Sequence, residues 1–263
     1  MLVGDRKSEA EIPPLIEDPV ELARREASNA LDQFDWAMEE LNRWIKAGQP
    51  TLKLSVLLKL HRLAMDGIDR YAGNFRPASV AIKGSNHVPI SGDDVPRYVE
   101  EMLEYVADNW KSRTAIHLSS YVMWRLNWIH PFADGNGRTS RILSYLVLCG
   151  RLGQSLPGTH TIPEQISENK DPYYQALEEA DRHFKKGTIN VSSMENLLEK
   201  YLANQLVQLH EQATGNIAIS LPQTGTRGRG RALKTAIDSV EARPVLYTVL
   251  ATVVVGLLAL VFG

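Results

Sequence analysis

The stretch His130–Arg141, His-Pro-Phe-Ala-Asp-Gly-Asn-Gly-Arg-Thr-Ser-Arg, gathers the residue types of a phosphate-handling site into one short run. Its two glycines and asparagine make a turn that ends where a helical pattern begins. Glycine lets the backbone turn sharply and come close to a ligand. The free amides at a helix start, with the helix dipole behind them, form an anion site. Arg138 and Arg141 follow three residues apart, so both can lean over one anion. Asp134 is a carboxylate beside that site, which fits a bridging Mg²⁺ that keeps carboxylate and phosphate from repelling each other. His130 is the neutral base at hand, since imidazole titrates near physiological pH. A base, a magnesium carboxylate, an anion nest and two arginines are the parts that activate a hydroxyl against a phosphoester.

These groups need rigid elements to hold them, and the flanking pattern supplies helices. Tyr121, Val122, Trp124, Leu126, Trp128 and Ile129 precede the loop, and Ile142, Leu143, Tyr145, Leu146 and Leu148 follow it. Earlier, Asp18 and Pro19 read as the cap and first position of a long helix. Val20, Ala23, Ala27, Leu31, Phe34, Met38, Leu41 and Ile45 recur on its expected buried face, and Gly48 and Pro50 stop it. Further helices are expected over Leu52–Met65, Val95–Asn109, Thr114–Trp128, Gly137–Leu152, Pro172–His183 and Ser193–His210. Ser79–Ile90 has Val, Ile and Val around a Gly-Ser-Asn turn and reads as a short hairpin. The expected fold is all-α with one small β element, spanning residues 19–210 behind an N-terminal extension, residues 1–18.

At this point the sequence resembles a known family. The motif matches the Fic signature His-x-Phe-x-(Asp/Glu)-Gly-Asn-(Gly/Lys)-Arg-x-x-Arg at each fixed position. Ala72-Gly73-Asn74-Phe75-Arg76, the hairpin-like Val80–Pro89 and the motif also stand in the order seen in Fic domains. The resemblance implies an all-α Fic core with the loop between two central helices, and transfer of AMP from ATP to a Ser, Thr or Tyr hydroxyl of a target protein. It implies that His130 takes the proton from that hydroxyl, that Phe132 anchors the loop, and that Asp134 holds Mg²⁺ against the α- and β-phosphates. Gly135, Asn136 and Gly137 would bind the anion, Arg138 the β-phosphate and Arg141 the γ-phosphate. Val80, Ala81, Ile82, Lys83 and Gly84 would form the flap that clamps the target segment by strand pairing. Kinase-like members carry Lys where Gly137 stands, so the glycine favours nucleotidyl over phosphoryl transfer. Removal of AMP, transfer of another nucleotide or phospho-alcohol, and a non-catalytic scaffold are the rival readings. The family's inhibitory motif, a Ser or Thr followed four residues later by Glu and then Gly or Asn, is absent. Val191 precedes Glu195-Asn196, and Glu164 precedes Glu168-Asn169. A separate inhibitor protein, a diverged motif and absence of such control are the readings left open.

The rest of the chain sets boundaries on function. It has 263 residues, with 29 Lys+Arg against 31 Asp+Glu, and lacks the broad basic excess of a nucleic-acid binder. The single cysteine, Cys149, excludes an intramolecular disulfide framework and a multi-cysteine zinc module. His61, His87, His117, His160, His183 and His210 are scattered, with no metallohydrolase spacing. Residues 211–243 read as a linker with Arg227, Arg229, Arg231, Lys234 and Arg243. Pro244–Gly263 carries no charge, and as a helix it would span about 30 Å, the thickness of a bilayer core. A transmembrane helix at the C-terminus is expected there. The basic residues beside it would keep the catalytic domain in the cytoplasm and face anionic headgroups.

Overall fold

The computed structural model describes residues 6–9, 15–48, 52–158 and 160–214. The basic linker beyond Thr214 and the charge-free stretch Pro244–Gly263 lie outside them. Among the described residues no helix is long and apolar enough to cross a membrane.

Local sequence signals set the frame. Helix α1 runs Pro19–Ala47. The Asp18 carboxylate accepts from the Val20 amide at 2.7 Å, and Gly48 ends the helix at φ 65°. Helix α2 covers Leu54–Met65, α3 Val95–Asn109, α4 Ala115–Ile129 and α5 Asn136–Leu152. Then come α6 at Ile162–Glu168, α7 at Asp171–Phe184 and α8 at Ser192–Thr214. Helix α6 was not expected. It starts at a capping box in which the Thr161 amide donates to the Glu164 carboxylate at 2.6 Å. Helix α8 runs four residues past the expected end at His210.

Helices α4 and α5 form the centre. Both are buried nearly all round, so neither shows a strong apolar stripe. They approach closely where Ser119 meets Ser144, with the hydroxyls 2.7 Å apart and each bonded to the other's carbonyl at 3.0 Å. Small residues permit that approach, and the exchanged bonds satisfy hydroxyls that burial would otherwise strand. Helices α1 and α2 pack on α5, α3 packs on α4, and α7 and α8 close the other side.

Two expectations need correction. The buried positions of α1 are Asn29, Gln33, Ala37, Leu41 and Trp44, while Val20, Leu31 and Ile45 are exposed. Asn29 donates to the carbonyls of Ala64 and Asp66 and Gln33 to that of Leu60, so these amides satisfy carbonyls at the end of α2. The second correction concerns Ser79–Ile90, which is not a hairpin. It holds one strand, β2 at Ala81–Lys83, whose antiparallel partner is β1 at Lys7–Glu9 in the N-terminal extension. The chain does turn at Gly84, φ 77°. Past the turn, however, the His87 ring bonds to the Trp128 carbonyl at 2.8 Å and lies 3.3 Å from Asp181. The returning chain is thus tied to α4 and α7 and does not fold back on β2.

Candidate active site

The loop between α4 and α5 is built as a set of backbone constraints. His130 ends α4 in the left-handed region, φ 54° and ψ 58°, and is the one non-glycine residue there among the described residues. Such a conformation persists only where the surroundings impose it. Arg76 imposes it. Its buried guanidinium donates through Nε to the His130 carbonyl at 2.8 Å, through Nη1 to Ala78 at 2.9 Å, and through Nη2 to Ile90. Its amide also donates to the Pro131 carbonyl at 2.9 Å. One side chain therefore joins both ends of the β2 segment to the loop.

Three further groups hold the loop from inside. Phe132 is fully buried, and its ring stacks on His61 with centroids 3.6 Å apart. The Asn136 side chain accepts from the Phe132 amide at 3.0 Å and donates to the Phe132 carbonyl at 2.8 Å. That amide is spent on the loop, so Asn136 can offer an anion only its backbone. Gly135 sits at φ 75°, and a Cβ there would lie 2.6 Å from the Met65 sulfur. Only glycine fits, and its own amide donates to the Asp134 carboxylate at 2.6 Å.

His61 is the residue that sequence reasoning missed. Its Nδ1 accepts from the Gly73 amide at 3.0 Å, so Nε2 carries the proton and donates to the Asp134 carbonyl at 3.0 Å. Protonating Nδ1 would set two donors against each other. Burial is the main cause that pushes its pKa down to about 4, and Arg138 acts the same way. The signal was faint in sequence because both partners are backbone groups.

The groups expected to meet phosphate lie together at the start of α5. Arg138 donates to Asp134 at 3.0 Å and to Glu26 of α1 at 2.9 Å. The Arg141 guanidinium folds back over Gly137, lying 3.2 Å from where a Cβ would stand. Glu195 and Glu168 are elsewhere, paired with His117 at 2.6 Å and His160 at 2.9 Å. Among the described residues no group of three or more His, Cys, Asp or Glu could hold a metal alone. One carboxylate suffices where bound phosphates complete the shell. The Asp134 side chain is half exposed at the helix start, which fits Mg²⁺ held in that way. Cys149 is a core residue whose thiol burial pushes up to about 12.

The His130 imidazole is buried and points toward β1. Burial is the main cause that pulls its pKa down to about 4, helped by His87 and Arg76 and opposed by the Asn127 backbone. The ring is neutral at physiological pH. Its Nε2 lies 2.8 Å from the Ser8 hydroxyl, hydrogen-bond distance, so a hydroxyl already stands where a base could take its proton.

The two histidines link folding to protons. Each binds a proton near pH 6.5 when unfolded and near pH 4 when folded. Between those values the unfolded chain holds more protons, so stability is full above about pH 6.5 and falls as pH drops. The loss approaches about 1.4 kcal/mol per pH unit for each ring. Urea midpoints measured at pH 7 and pH 5 read this directly, and equal midpoints contradict it.

Comparison with known proteins shows what the chain is similar to. Residues 51–148 match the model of the Fic/DOC family. The chain is 30% identical over 122 residues to a protein adenylyltransferase Fic of Drosophila persimilis, covering 46% of this chain and 23% of that one. Identity is 31% over 124 residues to the Aedes aegypti protein of the same name, covering 46% and 24%. A Fido domain-containing protein of Dictyostelium discoideum is 39% identical over 83 residues, covering 29% and 53%. The chain thus spans about a quarter of the fly and mosquito relatives. A Fic domain-containing signaling protein of Bacteroides thetaiotaomicron superposes with a TM-score of 0.56 at 20% identity, covering 72% of this chain and 74% of that one. A Fic family protein of Desulfovibrio desulfuricans gives 0.54 at 20%, covering 83% and 65%. The fold is a mostly helical Fic-type fold, and residues 51–148 are similar to the Fic/DOC family model.

Proposed function

We propose that this chain is a protein nucleotidyltransferase that moves AMP from ATP to a hydroxyl side chain. One observation carries the reading: a neutral, buried imidazole, His130, faces a hydroxyl held on the β2 edge, beside a glycine-framed helix start that presents backbone amides and two arginines. The 30% identity to proteins named adenylyltransferases supports AMP as the group transferred.

In this reading the amides of Asn136 and Gly137 receive the phosphates, joined by that of Gly135 once it leaves the Asp134 carboxylate, and Arg138 and Arg141 neutralise charge that builds on them. Arg138 must then turn from Glu26 or Asp134, a cheap exchange because those contacts are partly exposed. Mg²⁺, held by Asp134 together with the phosphates, would supply charge neutralisation there. His130 Nε2 takes the hydroxyl proton as the oxygen attacks the α-phosphorus. The β2 edge holds the target backbone without reading its sequence.

Incubating the full chain with ATP, Mg²⁺ and a protein extract tests this. Proteins gaining the mass of one AMP are the expected result. Gain of a bare phosphate, or no gain at all, overturns it.

A further inference from the structure

Three contacts fix the N-terminal extension in the site. Strand β1 pairs with β2 in antiparallel register, with Ser8 opposite Ile82. Just before it, the Arg6 amide donates to the Tyr174 hydroxyl at 3.2 Å. The Arg6 guanidinium lies 4.3 Å from the Tyr174 ring centre and forms an ion pair with Glu178 of α7. The third contact is Ser8 Oγ on His130 Nε2 at 2.8 Å. The ladder sets the register, the α7 clamp sets the depth, and together they bring one particular hydroxyl to the base.

We propose that Ser8 is a modification site, the acceptor of the nucleotidyl group within its own chain. The inference rests on the transfer reading above and adds its first named substrate. A hydroxyl bonded to the general base on a paired strand is the arrangement of a nucleophile before attack. If Ser8 only capped a buried imidazole, the ladder and the Arg6 clamp would not be needed to fix it. In the step, Ser8 Oγ bonds to the α-phosphorus of ATP and its proton passes to His130 Nε2. The bond from the α-phosphorus to the oxygen bridging to the β-phosphate breaks, and pyrophosphate leaves with that electron pair. Serine carrying AMP has no hydroxyl proton left to give His130. The modified segment loses that contact.

The sequence makes the test clean. The tryptic peptide spanning residues 8–24 contains Ser8 and no other Ser, Thr or Tyr. Full-length chain is incubated with ATP and Mg²⁺ over a range of chain concentrations, with and without a protein extract, and digested. The expected result is one AMP on that peptide, formed with a rate constant independent of chain concentration. Ser8→Ala should remove it while extract proteins are still labelled, and His130→Ala should remove both. Labelled extract proteins with an unmodified 8–24 peptide overturn the Ser8 proposal alone. A first-order rate constant that rises with chain concentration, or label on Ser8 that persists in His130→Ala, also overturns it. No label on any protein overturns the transfer reading and this one with it.

Discussion

His130→Ala lowers the rate of AMP transfer by roughly 10²–10⁴-fold, the usual worth of a positioned acid or base. The same substitution leaves ATP affinity within about threefold. The separation follows from geometry. The ring faces the hydroxyl on β1, whereas the groups placed to meet phosphate belong to the start of α5. The variant also carries a left-handed backbone at residue 130 without histidine, so some stability is lost. Nucleotide binding, measured by titration calorimetry, reports whether the cradle is intact while transfer is measured on the same sample. A loss of binding as large as the loss of transfer would remove His130 from the role of base.

Arg76→Ala is expected to cost more stability than any other single change at the site, about 4 kcal/mol or more. The buried guanidinium serves three carbonyls, those of His130, Ala78 and Ile90. Its removal strands all three and leaves a cavity. It also frees the left-handed turn at His130 and the base of the β2 segment together, so the surviving folded fraction should transfer slowly. Arg76→Lys does not restore it, because one ammonium cannot reach three carbonyls in a fixed fork. Denaturant midpoints and transfer rates on both variants check this. An Arg76→Lys protein with the parent's stability and rate would contradict it.

What could be read from sequence alone follows the range of the interactions. Helix α1 was legible at both ends because Asp18 and Gly48 act on their own neighbours. Its buried face was not, because Asn29 and Gln33 are buried to serve the end of α2, a need that hydropathy does not register. The candidate phosphate loop could be picked out because Asp134, Gly135, Gly137, Arg138 and Arg141 stand within one short run of the chain. Its supports could not. Arg76 stands in the run Ala72–Arg76 that carries the resemblance, but its role and that of His61 are not legible, because both come from other segments and bond to backbone groups. The pairing of Lys7–Glu9 with Ala81–Lys83 joins segments far apart in the chain, and neither is long enough to show strand alternation. Helix α6 could have been found from the spacing of Thr161 and Glu164, the two members of its capping box.

The central claim is that His130 serves a hydroxyl attacking the α-phosphorus of a nucleotide cradled at the start of α5. The most direct measurement follows two isotopic labels through the reaction, one on the α-phosphate of ATP and one on the γ-phosphate. The account predicts the α-label on the acceptor hydroxyl and the γ-label in released pyrophosphate, with α-label transfer by His130→Ala slowed by roughly 10²–10⁴-fold. A γ-label on the acceptor, or α-label transfer undiminished by loss of the imidazole, would contradict it.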